Sequence, residues 1–137
     1  MNAVDTNVLF YAHDAREGAK RATAASLIDS LDDAALLWQV ACEYLSASKK
    51  LEPTGYSREQ AWQDIRDLRL VWTTVLPSWE SLDRAHELLN RYSLSYWDAM
   101  ILGACLESGV TRFYTEDFDA YPDVEGLKVM NPFIDSG

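Results

Sequence analysis

The sequence has few basic residues for its size. Its 137 residues include 12 Lys and Arg against 22 Asp and Glu, which gives a net charge of −10 at pH 7. This balance argues against a broad basic surface for nucleic acid. It leaves open enzymes that meet a phosphate group through bound metal ions, because the acids that hold such ions also add to the negative charge.

Long apolar runs and cysteine pairs are missing as well. The sequence contains no stretch of about twenty apolar residues, and residues 1–5 lack the basic and apolar segments of a signal peptide. We therefore expect a cytoplasmic protein that does not bind a membrane. Cys42 and Cys105 lie in apolar helical contexts without C-x-x-C spacing. They are predicted to be buried free thiols in a reducing compartment, a single disulfide being the alternative.

Strands and helices alternate along the whole chain. Short apolar runs predict strands ending at residue 5 and over residues 35–39, 71–76, 112–115 and 127–130. Helical spacing predicts helices over 8–12, 19–31 and 40–51, and helices that begin at Ser57, Ser78 and Ser95. This order predicts one domain over residues 1–137. Its expected class is α/β, a three-layer α/β/α sandwich with a mostly parallel central sheet.

One carboxylate stands on the apolar face of a predicted helix. Counted from Asp98, the helical neighbours three, four and seven residues on are Ile101, Leu102 and Cys105. A lone charge turned towards a core costs several kcal/mol unless something neutralises it. The local alternative is a capping box, in which Ser95 caps the helix and Asp98 is its third residue. A functional role for Asp98 therefore requires other carboxylates that share a cation with it.

Three further acids lie just after predicted strands. Asp5 ends the first strand, Glu43 lies in the first turn of the helix after the second, and Asp117 follows the strand that ends at Thr115. Because ligands bind beyond the carboxyl ends of parallel strands, these acids and Asp98 are predicted to share one edge of the sheet. Each also has a local alternative: a solvated strand end, a helix-dipole partner and a member of an acidic loop, respectively.

Such a cluster of carboxylates has a defined chemistry. Carboxylates close together repel at low dielectric, so they raise their own pKa values or bind a cation. Oxygen ligands favour hard ions such as Mg²⁺ or Mn²⁺. One or two such ions suffice for phosphodiester hydrolysis, because they polarise a phosphoryl oxygen and lower the pKa of a bound water. The sequence thus predicts a Mg²⁺ or Mn²⁺ site.

Four segments in a fixed order carry a resemblance to a known family. They are Asp5-Thr6-Asn7-Val8-Leu9, Glu43 after the second strand, Ser95-Tyr96-Trp97-Asp98-Ala99 and Tyr114-Thr115-Glu116-Asp117. With this order and spacing the chain resembles the PIN domain and, more narrowly, the VapC toxins of bacterial toxin–antitoxin pairs. The resemblance spans the whole chain, including the closing Val129-Met130-Asn131-Pro132-Phe133.

The resemblance implies a Mg²⁺- or Mn²⁺-dependent endoribonuclease toxin, held in check by a VapB-type antitoxin protein and forming a homodimer. The family's four acids carry over to Asp5, Glu43, Asp98 and Asp117, and its supporting polar positions match Thr6, Asn7 and Thr115. Asp5 and Asp98 would bind the metal directly. Glu43 and Asp117 would act through water or orient the attacking water. Glu116 or Asp119 could take the place of Asp117 as the fourth acid.

Other conspicuous side chains are expected to be structural. His13 and His86 have no partner acid or Cys at ligand spacing and are predicted to pack or lie at the surface. Trp97 could stack on an RNA base, but its helical spacing to Ile101 favours the core. Three basic residues either contact substrate phosphates or, as we favour, form a solvated helix face: Arg16, Lys20 and Arg21.

Two other functions compete with the nuclease. One is a PIN-like module that binds RNA or a partner protein without catalysis, against which the complete set of acids argues. The other is a Mg²⁺-dependent phosphohydrolase acting on small phosphates. An aspartyl-phosphate enzyme of that kind needs a second Asp two residues after the nucleophile, and Asn7 stands there instead. The chain has neither a G-x-x-x-x-G-K loop nor a nucleophile elbow.

Overall fold

Six strands form the central sheet. The computed structural model describes residues 1–118 and 121–134. Within them the strands are β1 (Asn2–Val4), β2 (Ala34–Leu37), β3 (Thr73–Val75), β4 (Arg112–Tyr114), β5 (Asp123–Val124) and β6 (Leu127–Met130). Their order across the sheet is β3-β2-β1-β4-β6-β5. Every pair is parallel except β5 with β6, so the predicted mostly parallel sheet is confirmed.

The helices of the described residues pack in two separate groups. They are α1 (Thr6–Tyr11), α2 (Gly18–Ser30), α3 (Trp38–Ala47), α4 (Arg58–Val71), α5 (Trp79–Arg91) and α6 (Tyr96–Ser108), with a 3₁₀ segment over Ser48–Thr54. Helix α1 contacts α2 and α3, and α3 contacts α4, whereas α5 packs mainly on α6. The two groups supply the outer layers of the predicted α/β/α sandwich. None of these helices is long and apolar enough to cross a membrane.

The middle of the sheet is buried on both faces. All four residues of β2 are buried, as are Val4 of β1 and Phe113 of β4. A central parallel strand covered by helices on both faces requires such an apolar run. The register pairs Val4 with Tyr114, so the residues that follow, Asp5 and Thr115, leave the sheet side by side.

Several predicted boundaries are wrong by a few residues. Helix α3 begins at Trp38 rather than residue 40, so Gln39 belongs to its first turn and not to β2. The predicted strand over 71–76 is limited to Thr73–Val75, because α4 continues to Val71 and Trp72 caps it. In the predicted acidic loop the structure adds β5, joined to β6 by a tight turn in which Glu125 has φ 53° and Gly126 φ 92°.

The contact between α5 and α6 depends on Gly103. Helical spacing predicts an apolar stripe on α5 that begins at Trp79 and includes Ala85. Ala85 is buried as predicted, together with Ser81 and Leu88, but Trp79 is 79% exposed. A Cβ at Gly103 would lie 2.7 Å from the Ser81 carbonyl oxygen and 3.1 Å from the Ala85 nitrogen. The two helices therefore approach backbone to backbone, which small residues permit.

The two cysteines have different environments. Both are free, so the disulfide alternative is excluded. Cys105 is buried as predicted, and burial raises the pKa of its thiol well above the ordinary range. The prediction that Cys42 is buried is wrong: on α3 the core-facing residues are Val40 and Tyr44, and Cys42 lies on the outer side between them.

Candidate functional site

The four acids predicted from the sequence line one open cavity. The cavity has a volume of about 280 Å³, and its walls include Asp5, Glu43, Asp98 and Asp117 together with Thr6, Asn7, Tyr11 and Lys50. It lies beyond the carboxyl end of β1, where α1 and α3 begin and where the chain leaves β4. This is the sheet edge at which parallel α/β folds bind ligands.

Asp5 is the most enclosed of the four acids, with 5% of its surface exposed. It caps α1, because its Oδ1 accepts a hydrogen bond of 2.7 Å from the Thr6 backbone nitrogen. Its Oδ2 accepts a second hydrogen bond of 2.8 Å from the Thr115 hydroxyl. Both carboxylate oxygens are thus fixed by neighbours that follow β1 and β4, which orients the side chain at the cavity wall.

Burial gives Asp5 an unusual affinity for protons. Loss of hydration raises its pKa from 3.8 to about 6, and the nearby carboxylates of Asp117 and Glu43 add to the rise. The hydrogen bonds from Thr115 and Thr6 act in the opposite direction, because they favour the charged form. The site therefore holds a negative charge that the fold neutralises only in part.

The Thr115 hydroxyl connects three residues of the site. It donates to Asp5 and accepts from the Asn7 side-chain amide at 3.2 Å and from the Asp117 backbone nitrogen at 3.0 Å. Thr115 is fully buried, immediately after β4. The carbonyl oxygen of the Asn7 side chain accepts in turn from the Glu116 backbone nitrogen at 3.3 Å. This network fixes the loop after β4 against the start of α1.

Glu43 is held at both of its carboxylate oxygens. Its Oε2 accepts from the Thr6 hydroxyl at 2.9 Å, and its Oε1 accepts from the Gln39 side-chain amide at 3.0 Å. The same Gln39 nitrogen donates to the Trp97 backbone oxygen at 3.2 Å. Gln39 was not predicted as a site residue, although its spacing of four residues from Glu43 is the signal that a correct start of α3 would have revealed.

Asp98 lies in the first turn of α6, partly exposed to the cavity. Its backbone nitrogen donates to the Ser95 hydroxyl at 3.1 Å, so the predicted cap by Ser95 is confirmed. The reciprocal half of the capping box is not formed among the described residues, where no hydrogen bond or ion pair engages the Asp98 carboxylate. The charge is therefore available on the cavity side rather than used by the helix end.

The structure distinguishes two candidates for the fourth acid. Asp117 lines the cavity, and its Oδ2 lies 3.4 Å from the Asn7 side-chain nitrogen. Glu116 is instead engaged outside it, with an ion pair of 3.1 Å to Lys20 and a hydrogen bond of 2.8 Å from the Tyr11 hydroxyl. The third candidate, Asp119, lies outside the described residues.

The acids share a cavity without forming a ligand cluster. Across residues 1–118 and 121–134, no group of three or more His, Cys, Asp or Glu side chains is arranged to hold a metal ion. One basic residue that the sequence did not suggest, Lys50 of the 3₁₀ segment, also lines the cavity. Nothing in its local sequence sets it apart from the neighbouring Lys49, which lines a different cavity.

Predictions for the other polar residues have mixed outcomes. His13 packs, as predicted, stacked on Tyr56 with ring centroids 4.8 Å apart; Asp64, which is distant in the sequence, lies 3.2 Å from its Nε2. Burial lowers the pKa of His13, which Asp64 opposes. The solvated basic face is wrong for Lys20, which pairs with Glu116 and lies over the Tyr11 ring.

Trp97 is the clearest correction. The expected core position is wrong, because 65% of its surface is exposed. The first turn of α6 lies at the cavity, and the buried part of the helix begins only at Ala99. Helical spacing alone does not show at which residue a helix begins to pack against its neighbours.

Several solved structures share this fold. A toxin–antitoxin complex from Klebsiella pneumoniae matches with a TM-score of 0.71 and 20% identity, over 96% of this chain and 98% of that one. VapC20 of Mycobacterium tuberculosis, a toxin that cleaves the sarcin-ricin loop, matches with a TM-score of 0.64 and 20% identity, over 93% and 99%. VapBC2 from Rickettsia felis, bound to a promoter DNA fragment, gives a TM-score of 0.68 and 14% identity, over 95% and 97%.

Sequence comparisons add the family. No curated protein matches the sequence significantly. A family model for the PIN domain matches residues 3–127. That match begins within β1 and ends at the first residue of β6, so it includes β2 to β5 and all four acids of the cavity. The chain belongs to the PIN domain family.

Proposed function

We propose that the chain is a metal-dependent endoribonuclease, the toxin of a VapBC-type toxin–antitoxin pair. One observation carries the proposal: acids from four separate segments, Asp5, Glu43, Asp98 and Asp117, line a single cavity at the carboxyl edge of the sheet. Acids so far apart in sequence have no shared structural task there. Their common property is the negative charge that a divalent cation neutralises.

The donor set fits Mg²⁺ or Mn²⁺. Mg²⁺ keeps several of its waters and is bound through one or two carboxylates, so a cavity of spaced acids suits it without a closed cluster. Burial holds the pKa of Asp5 near 6, and a cation beside its carboxylate would relieve that cost. Asp5 and Asp98 would bind the ion directly, and Glu43 and Asp117 through water. When bound, the ion would supply the charge that polarises a phosphoryl oxygen and lowers the pKa of a water.

Glu43 is suited to orient the attacking water. Its two oxygens are held by Thr6 and Gln39, which leaves the carboxylate a single orientation towards the cavity. A carboxylate in a fixed position can accept the water's proton without first losing conformational freedom.

Lys50 is suited to hold the substrate phosphate. It is the one basic residue among those that line the cavity, and its side chain makes no ion pair with any described residue. An ammonium group can donate hydrogen bonds to the non-bridging phosphate oxygens as negative charge builds on them. Because Lys50 is the one basic residue that lines the cavity, basic side chains there contribute little to the affinity for RNA.

We also propose an antitoxin protein as partner, a homodimer as the assembly, and the cytoplasm as the location. The antitoxin is supported by two structures with similar folds, those from Klebsiella pneumoniae and Rickettsia felis, which are toxin–antitoxin assemblies. A tight antitoxin would be needed, because a free ribonuclease in the cytoplasm meets its substrate continuously.

The alternative function is a PIN-like module that binds RNA or a partner protein without catalysis. The observation that favours it is the absence, among the described residues, of three acids arranged to hold an ion. It predicts RNA binding without cleavage in any divalent metal.

The test is cleavage of labelled single-stranded RNA with Mg²⁺ or Mn²⁺ by the wild type, Asp98→Asn and Asp83→Asn. Asp83 is an exposed residue of α5 outside the cavity, so its variant controls for the same loss of charge. We expect Asp98→Asn to lose about a hundredfold or more in rate, as typical for loss of an electrostatic group at a reacting centre. Equal rates for all three proteins would refute the assignment.

A further inference from the structure

Two exposed aromatic residues directly precede Asp98, which lines the acid cavity. Tyr96 and Trp97 are the first residues of α6, directly before Asp98, and they are 47% and 65% exposed. Their rings contact each other edge to face, with centroids 5.8 Å apart at 89°. The buried residues of α6 begin at Ala99, so the core does not use this pair.

The backbone at this pair is hydrogen-bonded to residues of the site. The Trp97 backbone oxygen accepts from the Gln39 amide, and the same amide nitrogen orients Glu43. The Ser95 hydroxyl caps the helix at the Asp98 nitrogen, which sets the backbone on either side of the two rings. The backbone that carries Trp97 is therefore tied to the same side chain that orients Glu43 in the cavity.

The charge of the protein makes an uncharged contact valuable there. The chain has a net charge of −10, and the cavity walls contain one Lys against four acids. Phosphate contacts, which supply most affinity in basic nucleic-acid-binding proteins, are correspondingly few. Stacking of a base on an aromatic ring does not depend on charge and is available only to unpaired bases.

We propose that Tyr96 and Trp97 form a stacking platform for an unpaired base of RNA, which positions the strand at the acid cavity. This inference rests on the proposed function for the identity of the ligand and adds what selects it. The platform favours single-stranded or looped RNA over duplex RNA, in which both faces of every internal base are already stacked.

The experiment compares binding of two oligonucleotides of about twelve nucleotides. One is a fluorescein-labelled single-stranded RNA, and the other is the same sugar–phosphate chain without any base. Fluorescence anisotropy with Mg²⁺ gives the dissociation constants, in an Asp98→Asn background, with the RNA checked for integrity on a gel. The variants are Trp97→Leu, Trp97→Phe and, as matched control, Trp79→Leu. Trp79 is 79% exposed, at the start of α5 and outside the cavity.

We expect Trp97→Leu to weaken binding of the base-bearing strand about tenfold and to leave the strand without bases unaffected. Trp97→Phe retains most of the affinity, and Trp79→Leu changes neither strand. A loss for Trp97→Leu that is equal on both strands, or no loss beyond that of Trp79→Leu, overturns the platform. So does a shift of the monomer–dimer equilibrium in sedimentation without a change in RNA binding, which would make the pair a protein interface.

Failure of the platform and failure of the proposed function give different results. If the wild type cleaves RNA and Trp97→Leu binds the base-bearing strand as tightly as the wild type does, the platform fails alone. If the wild type never cleaves RNA but Trp97→Leu binds the base-bearing strand more weakly than the wild type does, the proposed catalysis fails and the platform stands. If the wild type binds no RNA at all, the platform is refuted as well.

Discussion

Asp5→Asn is expected to stabilise the metal-free protein at neutral pH. Asp5 is 5% exposed, and its burial raises the pKa from 3.8 to about 6. A carboxyl group whose pKa is higher in the folded state contributes stability that is complete below pH 3.8 and is lost as the pH rises through about 6. At pH 7 the folded protein carries the full cost of the buried charge.

The structure sets the magnitude of this effect. A rise in pKa from 3.8 to about 6 corresponds to about 3 kcal/mol of unfolding free energy at pH 7. The Asn side chain keeps an acceptor for the Thr6 nitrogen but offers an amide to the Thr115 hydroxyl, which needs an acceptor. Loss of that hydrogen bond costs about 1 kcal/mol. The relief of the buried charge exceeds the loss of this hydrogen bond, so the variant should be more stable than the wild type by about 2 kcal/mol at pH 7.

Urea unfolding with EDTA, followed by tryptophan fluorescence, measures the difference at about pH 4 and about pH 7.5. The advantage of Asp5→Asn should appear only at the higher pH, and Asp83→Asn should track the wild type at both. Mg²⁺ should then stabilise the wild type more than Asp5→Asn, because only the wild type has the charge for the ion. A difference that does not vary with pH, or a variant less stable at pH 7.5, would refute the reasoning.

Three further predictions concern single side chains. Thr115→Val removes the hydrogen bond that lowers the pKa of Asp5, so the acidic limb of the pH–rate profile for RNA cleavage should move to higher pH; an unmoved limb would contradict this. Lys50→Gln should raise KM for RNA several-fold in steady-state kinetics, whereas Lys49→Gln should not, and equal effects would remove Lys50 from the phosphate site. Gly103→Ala should lower the unfolding free energy by about 2 kcal/mol in urea titrations, since its Cβ meets a backbone oxygen at 2.7 Å; unchanged stability would disprove the close helix contact.

The parts of the fold that local patterns control could be predicted from the sequence. Alternating apolar runs and helical spacings gave the parallel sheet, because each element buries its own face. The acids were found because the carboxyl ends of parallel strands meet at one edge, so position in the order of elements was enough to place Asp5, Glu43 and Asp117 there. Asp98 was found because its charge contradicts the apolar face around it.

The contacts that orient these acids were not predictable from local patterns. Gln39 joins Glu43 to the backbone of Trp97 across 58 residues. The predicted start of α3 was two residues too late, so Gln39 was assigned to the preceding strand. Lys50 lines the cavity from the 3₁₀ segment that follows α3, and apolar spacing does not reveal that segment. The exposure of Trp97 likewise depends on where α6 ceases to touch other elements.

The central claim is that the acid cavity binds a divalent cation, and calorimetric titration with Mn²⁺ tests it most directly. The wild type and Asp83→Asn should each bind Mn²⁺ with a saturable heat. Asp98→Asn should bind it at least about tenfold more weakly, because it lacks one of the two carboxylates proposed to bind the ion directly. Absence of any saturable Mn²⁺ binding by the folded wild type, or identical binding by Asp98→Asn, would contradict the account.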